Sequence, residues 1–169
     1  MILTKNTLIK FLKNKSKIAY CEIKNNSGSS PREKGTWMLI SSKGEIFGTI
    51  GGGQLEFNLI NNVITQKWNN DFKFEIETTL GPDIAQCCGG KVVISIQKLN
   101  FILSQKLIER IEKNYSDTKS VLIFGAGNIG TSLSLQMYNL PLRVKLIDNR
   151  KNFISKINIP IEKKFTLIP

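Results

Sequence analysis

Hydrophobic and polar positions change their period several times along this chain, and each change predicts an element. Between Thr4 and Lys15, the residues Leu8, Ile9 and Leu12 share one helical face behind Thr4 in N-cap position, which predicts a short amphipathic helix. Ile18–Lys24 reads as a strand, and the polar run Asn25 to Gly35 as a loop. Trp37–Ser41, the turn Ser42–Gly44 and Glu45–Ile50 predict a hairpin. Gln54 to Lys67 places Leu55, Leu59, Val63 and Ile64 along one stripe, as a helix would. Phe72–Thr79 alternates Phe72, Phe74, Ile76 and Thr78, the pattern of a half-buried strand, and Lys91–Lys98 predicts another.

Beyond a polar-sided helix from Phe101 to about Asn114 and a linker at Tyr115–Ser120, the pattern changes. Val121–Phe124 is a continuous apolar strand, Gly125–Tyr138 a glycine turn opening a helix, and Leu142–Ile147 a second apolar strand, which together form a βαβ unit. The expected class is α/β. A mixed α+β domain over residues 1–116 precedes a partial Rossmann-like βαβ domain over residues 117–169. Lys164–Ile168 offers one further short strand. A full nucleotide-binding domain needs two βαβαβ halves, so the second domain is expected to be truncated. Its open sheet edge then needs a cover, which a homo-oligomer would supply.

Composition narrows the function classes. The chain has 169 residues, 41% of them hydrophobic, and no apolar run near the roughly 18 residues of a membrane helix. Met1–Lys17 lacks the apolar core of a signal peptide, so a soluble, cytoplasmic protein with no membrane partner is expected. The net charge of +11 comes from 24 basic and 13 acidic residues. The lysines are scattered and form no nucleic-acid module, so no nucleic-acid partner is expected. With no histidine, the chain contains neither a Ser-His-Asp triad nor a histidine-based zinc site. Three cysteines in no framework spacing fit a reducing compartment. Cys21, inside a strand-like run, reads as a buried inert thiol.

Three glycine-rich runs carry the candidate chemistry. Leu80-Gly-Pro-Asp-Ile-Ala-Gln86-Cys87-Cys88-Gly-Gly90 is a loop with two adjacent thiols. Neighbouring Cα atoms lie about 3.8 Å apart, short of the roughly 4.4–6.8 Å of an ordinary disulfide. Cys87 and Cys88 therefore suggest a soft ligand, redox chemistry or close backbone approach to a bound group. Gly48-Thr-Ile-Gly51-Gly52-Gly53-Gln54-Leu-Glu56 ends a strand and starts a helix, whose N-terminus favours an anion. Glu56 in the first turn also suits the helix dipole alone. Gly125-Ala-Gly127-Asn-Ile-Gly130 follows a strand and opens a helix, as a dinucleotide fingerprint does. Asp148 ends the next strand in the position of a ribose-binding acid, with Arg150 beside it.

Taken with the loop Ser27-Gly-Ser-Ser-Pro-Arg-Glu33, these runs resemble, in order and spacing, the xanthine dehydrogenase accessory factors of the XdhC/CoxI type. The resemblance spans essentially the whole chain. It implies an accessory factor rather than an enzyme, one that binds molybdenum cofactor and protects it during sulfuration. It also implies delivery to a xanthine dehydrogenase-like molybdenum hydroxylase, with a cysteine desulfurase as a second partner. Carried onto this sequence, it implies cofactor contacts at Gly51, Gly52, Gly53, Gln54, Glu56, Gln86, Cys87 and Cys88, the last two against molybdenum. Gly125, Gly127, Gly130 and Asp148 are candidates for a nucleotide such as NAD(P). Members usually carry a longer Rossmann domain than this chain provides. Two alternatives stay open. One is an NAD(P)-dependent oxidoreductase with Cys87 as its catalytic group; the other is a non-catalytic, inactive truncated member.

Overall fold

Asn14 shows how local chemistry sets the first boundary. Its φ of 63° turns the backbone left-handed, so α1 (Lys5–Leu12) ends before the expected Lys15. The computed structural model describes residues 3–30, 32–68, 71–81, 89–138, 140, 142–157 and 164–165. After α1 come β1 (Ile18–Ser27), β2 (Trp37–Ser41), β3 (Ile46–Gly48), α2 (Gly53–Ile64), β4 (Lys73–Thr79) and β5 (Lys91–Lys98). Then follow α3 (Phe101–Ser116), β6 (Ser120–Phe124), α4 (Asn128–Tyr138), β7 (Arg143–Ile147), α5 (Lys151–Ser155) and β8 (Lys164–Phe165). The chain divides into two compact units, one of Asn6–Leu107 and one of Met1–Lys5 with Ile108–Pro169. The division falls inside α3, whereas the sequence suggests a boundary near residue 116.

In the larger unit, β1 to β5 form an antiparallel sheet in the order β3-β2-β1-β5-β4. Alternation splits its side chains between two faces. On one face Ala19, Cys21, Ile23, Met38, Ile40, Val92, Ile94 and Ile96 pack with Leu55, Leu59 and Val63 of α2. Each fully buried Ile or Leu of this kind contributes about 1.5–3 kcal/mol. Residues of the opposite parity, among them Tyr20, Trp37, Leu39 and Phe47, are buried too. Trp37 lies 6.3 Å from Tyr20 and 6.1 Å from Phe47 between ring centroids, and Phe11 of α1 lies 5.5 Å from Phe47. Burial on both faces is why β2 reads as an unbroken apolar run, while edge strand β4 keeps its alternation. β1 runs three residues past its expected end because a bulge between Ile23 and Asn25 lets it follow β5 to Ser27. Burial pushes the Cys21 thiol up, so it stays protonated and inert, as its strand-like context suggests.

In the smaller unit, β6, β7 and β8 form a parallel sheet in that order. α4 crosses from β6 to β7, and Ile123, Ala126, Val144, Leu146, Ile154 and Ile157 make its core. This is the Rossmann-like βαβ expected from the sequence, with α5 as an addition that five residues without a capping side chain did not signal. Of the strand expected at 164–168, Lys164–Phe165 pair with β7, and residues 166–169 lie outside the described residues.

Candidate functional site

The registers of the larger sheet set where its motif-bearing loops leave it. Ser27 at the end of β1 pairs Lys91 at the start of β5, which pairs Thr79 at the end of β4. On the other side of β1, Glu22 pairs Trp37 at the start of β2, and Met38 pairs Gly48 at the end of β3. The strands that lead into the loops at Ser27, Gly48 and Leu80 therefore all run in the same direction, with Gly48 level with Cys21, six residues short of Ser27 along β1. The Ser27 and Leu80 loops, far apart in sequence, become neighbours by antiparallel topology.

Two of these loops meet backbone to backbone. Ser29 and Gly89 form a bridge, and a Cβ on Gly90 would stand 2.0 Å from the Ser29 carbonyl oxygen and 2.8 Å from that of Ser27. Only glycine fits there. The N–H of Leu80 donates to Gly90 O at 2.7 Å, and the N–H of Gly89 donates to Leu80 O at 2.8 Å. These bonds close a neck beneath the cysteine run. Gln86, Cys87 and Cys88 themselves lie outside the described residues.

The third loop is organised by Glu56. Its Oε1 accepts the Thr49 hydroxyl at 2.5 Å and the N–H groups of Ile50 at 2.9 Å, Gly51 at 3.2 Å and Gly52 at 2.8 Å. Every hydrogen bond it receives from the described residues falls on this one oxygen. Gly51, Gly52 and Gly53 have φ of 140°, 79° and 62°, so all three adopt conformations that side chains resist. The three glycines are thus needed to wrap the backbone around a carboxylate. Desolvation would raise the Glu56 pKa. The bonds from Thr49, Gly52, Ile50 and Gly51 outweigh it and hold the carboxyl below its ordinary value.

This geometry changes the role expected for the loop. The N–H groups of Gly51 and Gly52 are spent on Glu56 rather than offered to a phosphate. Glu56 does more than complement a helix dipole. Thr49 is a site residue that the sequence did not single out, and its only signal was its place before the glycines. Gln54 bonds Asn58 along the exposed surface of α2, Nε2 to Oδ1 at 2.9 Å.

In the smaller unit the structure brings Gly125, Gly127, Gly130 and Asp148 together. A Cβ on Gly130 would stand 1.8 Å from Gly125 O, so helix and turn touch there. Gly127 differs, because a Cβ would meet nothing within 4 Å and its φ is not positive. Asp148 points inward. Its Oδ2 accepts the Ala126 N–H at 2.6 Å, and Arg150 clasps the carboxylate through Nε at 2.9 Å and Nη2 at 2.8 Å. The Arg150 guanidinium, helped by the Ala126 and Arg150 N–H groups, holds the Asp148 carboxyl far below the usual range. The acid in the ribose-binding position is therefore already engaged within the chain. A cavity of about 550 Å³ opens beside the turn, with Gly127, Asn128, Phe153 and Lys156 in its wall.

Among the described residues, no three of Cys, Asp and Glu are grouped to hold a metal. No helix among them is long and apolar enough to cross a membrane.

Residues 11–65 match the model of the XdhC and CoxI family. Over that third of its length the chain is similar to the XdhC and CoxI family. The matched residues run from α1 through β1, β2 and β3 to the end of α2, so they include Glu56 and its glycine loop. The crystal structure of a xanthine dehydrogenase from Bacillus halodurans shares the fold of this chain, with a TM-score of 0.78 at 16% identity. The alignment covers 99% of this chain and 68% of that one. No curated protein sequence matches.

Proposed function

We propose that this chain is an accessory factor that binds molybdenum cofactor and serves the maturation of a xanthine dehydrogenase-type molybdenum hydroxylase, in the cytoplasm. The observation that carries the proposal is that the segment similar to the XdhC and CoxI family holds the Glu56 carboxylate in its glycine loop, in a sheet whose other two motif loops meet backbone to backbone.

The residues present fit a pterin dithiolene in two respects. A Cβ on Gly52 or Gly89 would meet nothing within 4 Å among the described residues. Glu56 is fixed through Oε1, which leaves Oε2 to accept the N–H edge of a pterin ring. The cofactor's dithiolene and molybdenum form a soft centre, and Cys87 and Cys88 are the side chains whose chemistry suits it. In this account Glu56 orients the pterin, the loop glycines allow close approach, and the two thiols shield the sulfur-rich end. The cofactor phosphate needs a donor other than the Gly51 and Gly52 N–H groups. A cysteine desulfurase is the partner that sulfuration of a held cofactor would require.

Reconstitution tests the delivery step. Purified chain loaded with cofactor should activate a cofactor-free xanthine dehydrogenase-type enzyme several-fold faster than free cofactor does. Equal rates would contradict delivery while leaving binding to be judged separately.

Gly127 favours a second reading, a nucleotide such as NAD(P) at the smaller unit's glycine turn. Neither backbone conformation nor packing demands a glycine there, whereas a pyrophosphate lying on the turn would. The engagement of Asp148 with Ala126 and Arg150 weighs against the usual ribose contact.

A further inference from the structure

Ile18 opens β1 and pairs Ser41 at the end of β2, so residues 13–17 and the turn at 42–44 meet at the end of β1 away from Ser27. The N–H of Ser42 donates to Lys17 O at 2.9 Å and ties the two segments together. Each segment is also fixed from within. Asn14 turns left-handed after α1, and the N–H of Lys15 reaches back to Leu12 O at 3.1 Å. The buried Ser41 hydroxyl oxygen accepts the N–H groups of Lys43 at 3.3 Å and Glu45 at 3.1 Å, which folds the turn. Between the segments lies a cavity of about 600 Å³, with Lys13, Lys15, Lys17 and Lys43 in its wall beside Ser16 and Ser42. Among the described residues of that wall Glu45 is the one acid, and it is already engaged. Its Oε1 lies 3.4 Å from Lys15 Nζ, and its Oε2 accepts the Ser41 hydroxyl at 3.0 Å. Lys13, Lys17 and Lys43 have no carboxylate partner among the described residues.

Ammonium groups gathered around one cavity repel each other, and the single carboxylate offsets one of them. The end of α1 accounts for part of the cluster, since Lys13 and Lys15 follow its last turn, where a cation suits the helix dipole. Lys17 and Lys43 lie beyond that reach, one entering β1 and one in the turn between β2 and β3. General basicity does not explain the cluster either, because 24 of 169 residues are basic but four of the nine that line this cavity are. A concave wall of one sign, with hydroxyl donors in it, is complementary to a small ligand bearing several negative charges. The volume falls within the roughly 300–1,000 Å³ of small-molecule sites. Lysines act as separate point charges, which suits oxygens spread over linked phosphates better than one carboxylate held in a fork. We propose that this cavity binds a small phosphorylated molecule carrying two or three linked phosphate groups. Lys13, Lys17 and Lys43 supply the charge, Ser16 and Ser42 donate hydrogen bonds, and Lys15 stays with Glu45. The cavity lies about 30 Å from the Ser27 loop, the length of the ten-residue β1. The proposal is therefore independent of what the motif-bearing loops bind.

Isothermal titration of the 169-residue chain with inorganic triphosphate, in about 150 mM salt, tests it, with orthophosphate as the comparison ligand. Lys17→Ala/Lys43→Ala removes two charges from the cavity. Lys106→Ala/Lys113→Ala removes the same two charges from exposed positions of α3 and serves as the control. Circular dichroism verifies that each variant is folded. The proposal expects one equivalent of triphosphate on the native chain, bound at least about tenfold more tightly than orthophosphate. It expects the cavity variant to weaken that binding at least about tenfold and the α3 variant to change it by less than about twofold. Lys13→Ala, measured alone, should weaken it several-fold and keeps the test decisive if the double cavity variant fails to fold. No saturable binding by the native chain would overturn the proposal, as would equal losses in the two folded double variants.

Discussion

Glu56 Oε1 lies 2.8 Å from the N–H of Gly52, four residues before it in the chain. One carboxylate oxygen thereby closes the loop that starts α2. It occupies the position in which a helix N-terminus would otherwise receive an external anion. The site is then a fixed negative charge held by the glycine loop at the start of α2.

Removing that charge should cost stability in a pH-dependent way. Glu56→Gln keeps an acceptor oxygen and should destabilise the larger unit by about 1 kcal/mol at pH 7, and Glu56→Ala by about 2 kcal/mol, in the range of lost helix caps. The folded pKa lies below the ordinary 4.5. The contribution is therefore fully present above about pH 4.5 and disappears as pH falls through the lower folded value. Urea midpoints of native and Glu56→Gln chains should converge as pH drops through that window. Parallel curves from pH 7 to 3 would contradict this.

Gly90→Ala should be severe, because its Cβ would stand 2.0 Å from Ser29 O and backbone cannot yield cheaply. A loss of about 2–3 kcal/mol or more is expected. Gly81→Ala, with open space and no positive φ, should cost about 0.5 kcal/mol or less. Thermal unfolding of the two variants compares them directly, and equal melting temperatures would remove the contact between the two loops from the account.

The same contrast divides the smaller unit. Gly130→Ala should disrupt it, since the added carbon would overlap Gly125 O at 1.8 Å. Gly127→Ala should leave stability unchanged or raise it by up to about 1 kcal/mol. Calorimetric titration with NAD(H) then reads the second function. Binding by the native chain that vanishes in folded Gly127→Ala would place a nucleotide on the turn. Binding that survives unchanged would locate it elsewhere.

Cys21 should be silent to thiol reagents. In the Cys87→Ser/Cys88→Ser double variant, Ellman's reagent at pH 8 should find no reactive thiol until denaturant is added, because Cys21 is buried and its pKa is raised. Rapid reaction of the folded variant would contradict that burial.

Much of the fold was legible because local pattern and tertiary role agree. Alternation in Phe72–Thr79 marked a strand with one wet face, and Val121–Phe124 before Gly125 marked a parallel unit. What was not legible depends on contacts between distant residues. No local rule links Gly28 and Ser29 to Gly90, and only the β1–β5 register brings them together. The glycine loop was visible as a site, but its sequence looks the same whether its N–H groups face a phosphate or a carboxylate from its own helix. Thr49 became a participant only through a bond to Glu56 on the next element. Asp148 stood where a ribose acceptor stands, and its partner Arg150 is two residues away, yet their ion pair is a fact of side-chain conformation.

The central claim is that the motif-bearing loops of the larger unit hold molybdenum cofactor. It is tested most directly by incubating the purified chain with the cofactor under reducing, anaerobic conditions and measuring pterin and molybdenum retained after gel filtration. The account predicts near one equivalent on the native chain. It predicts at least a tenfold loss in folded Cys87→Ser/Cys88→Ser and a marked loss in Glu56→Gln. No retention by the native chain, or equal retention by all three, would contradict it.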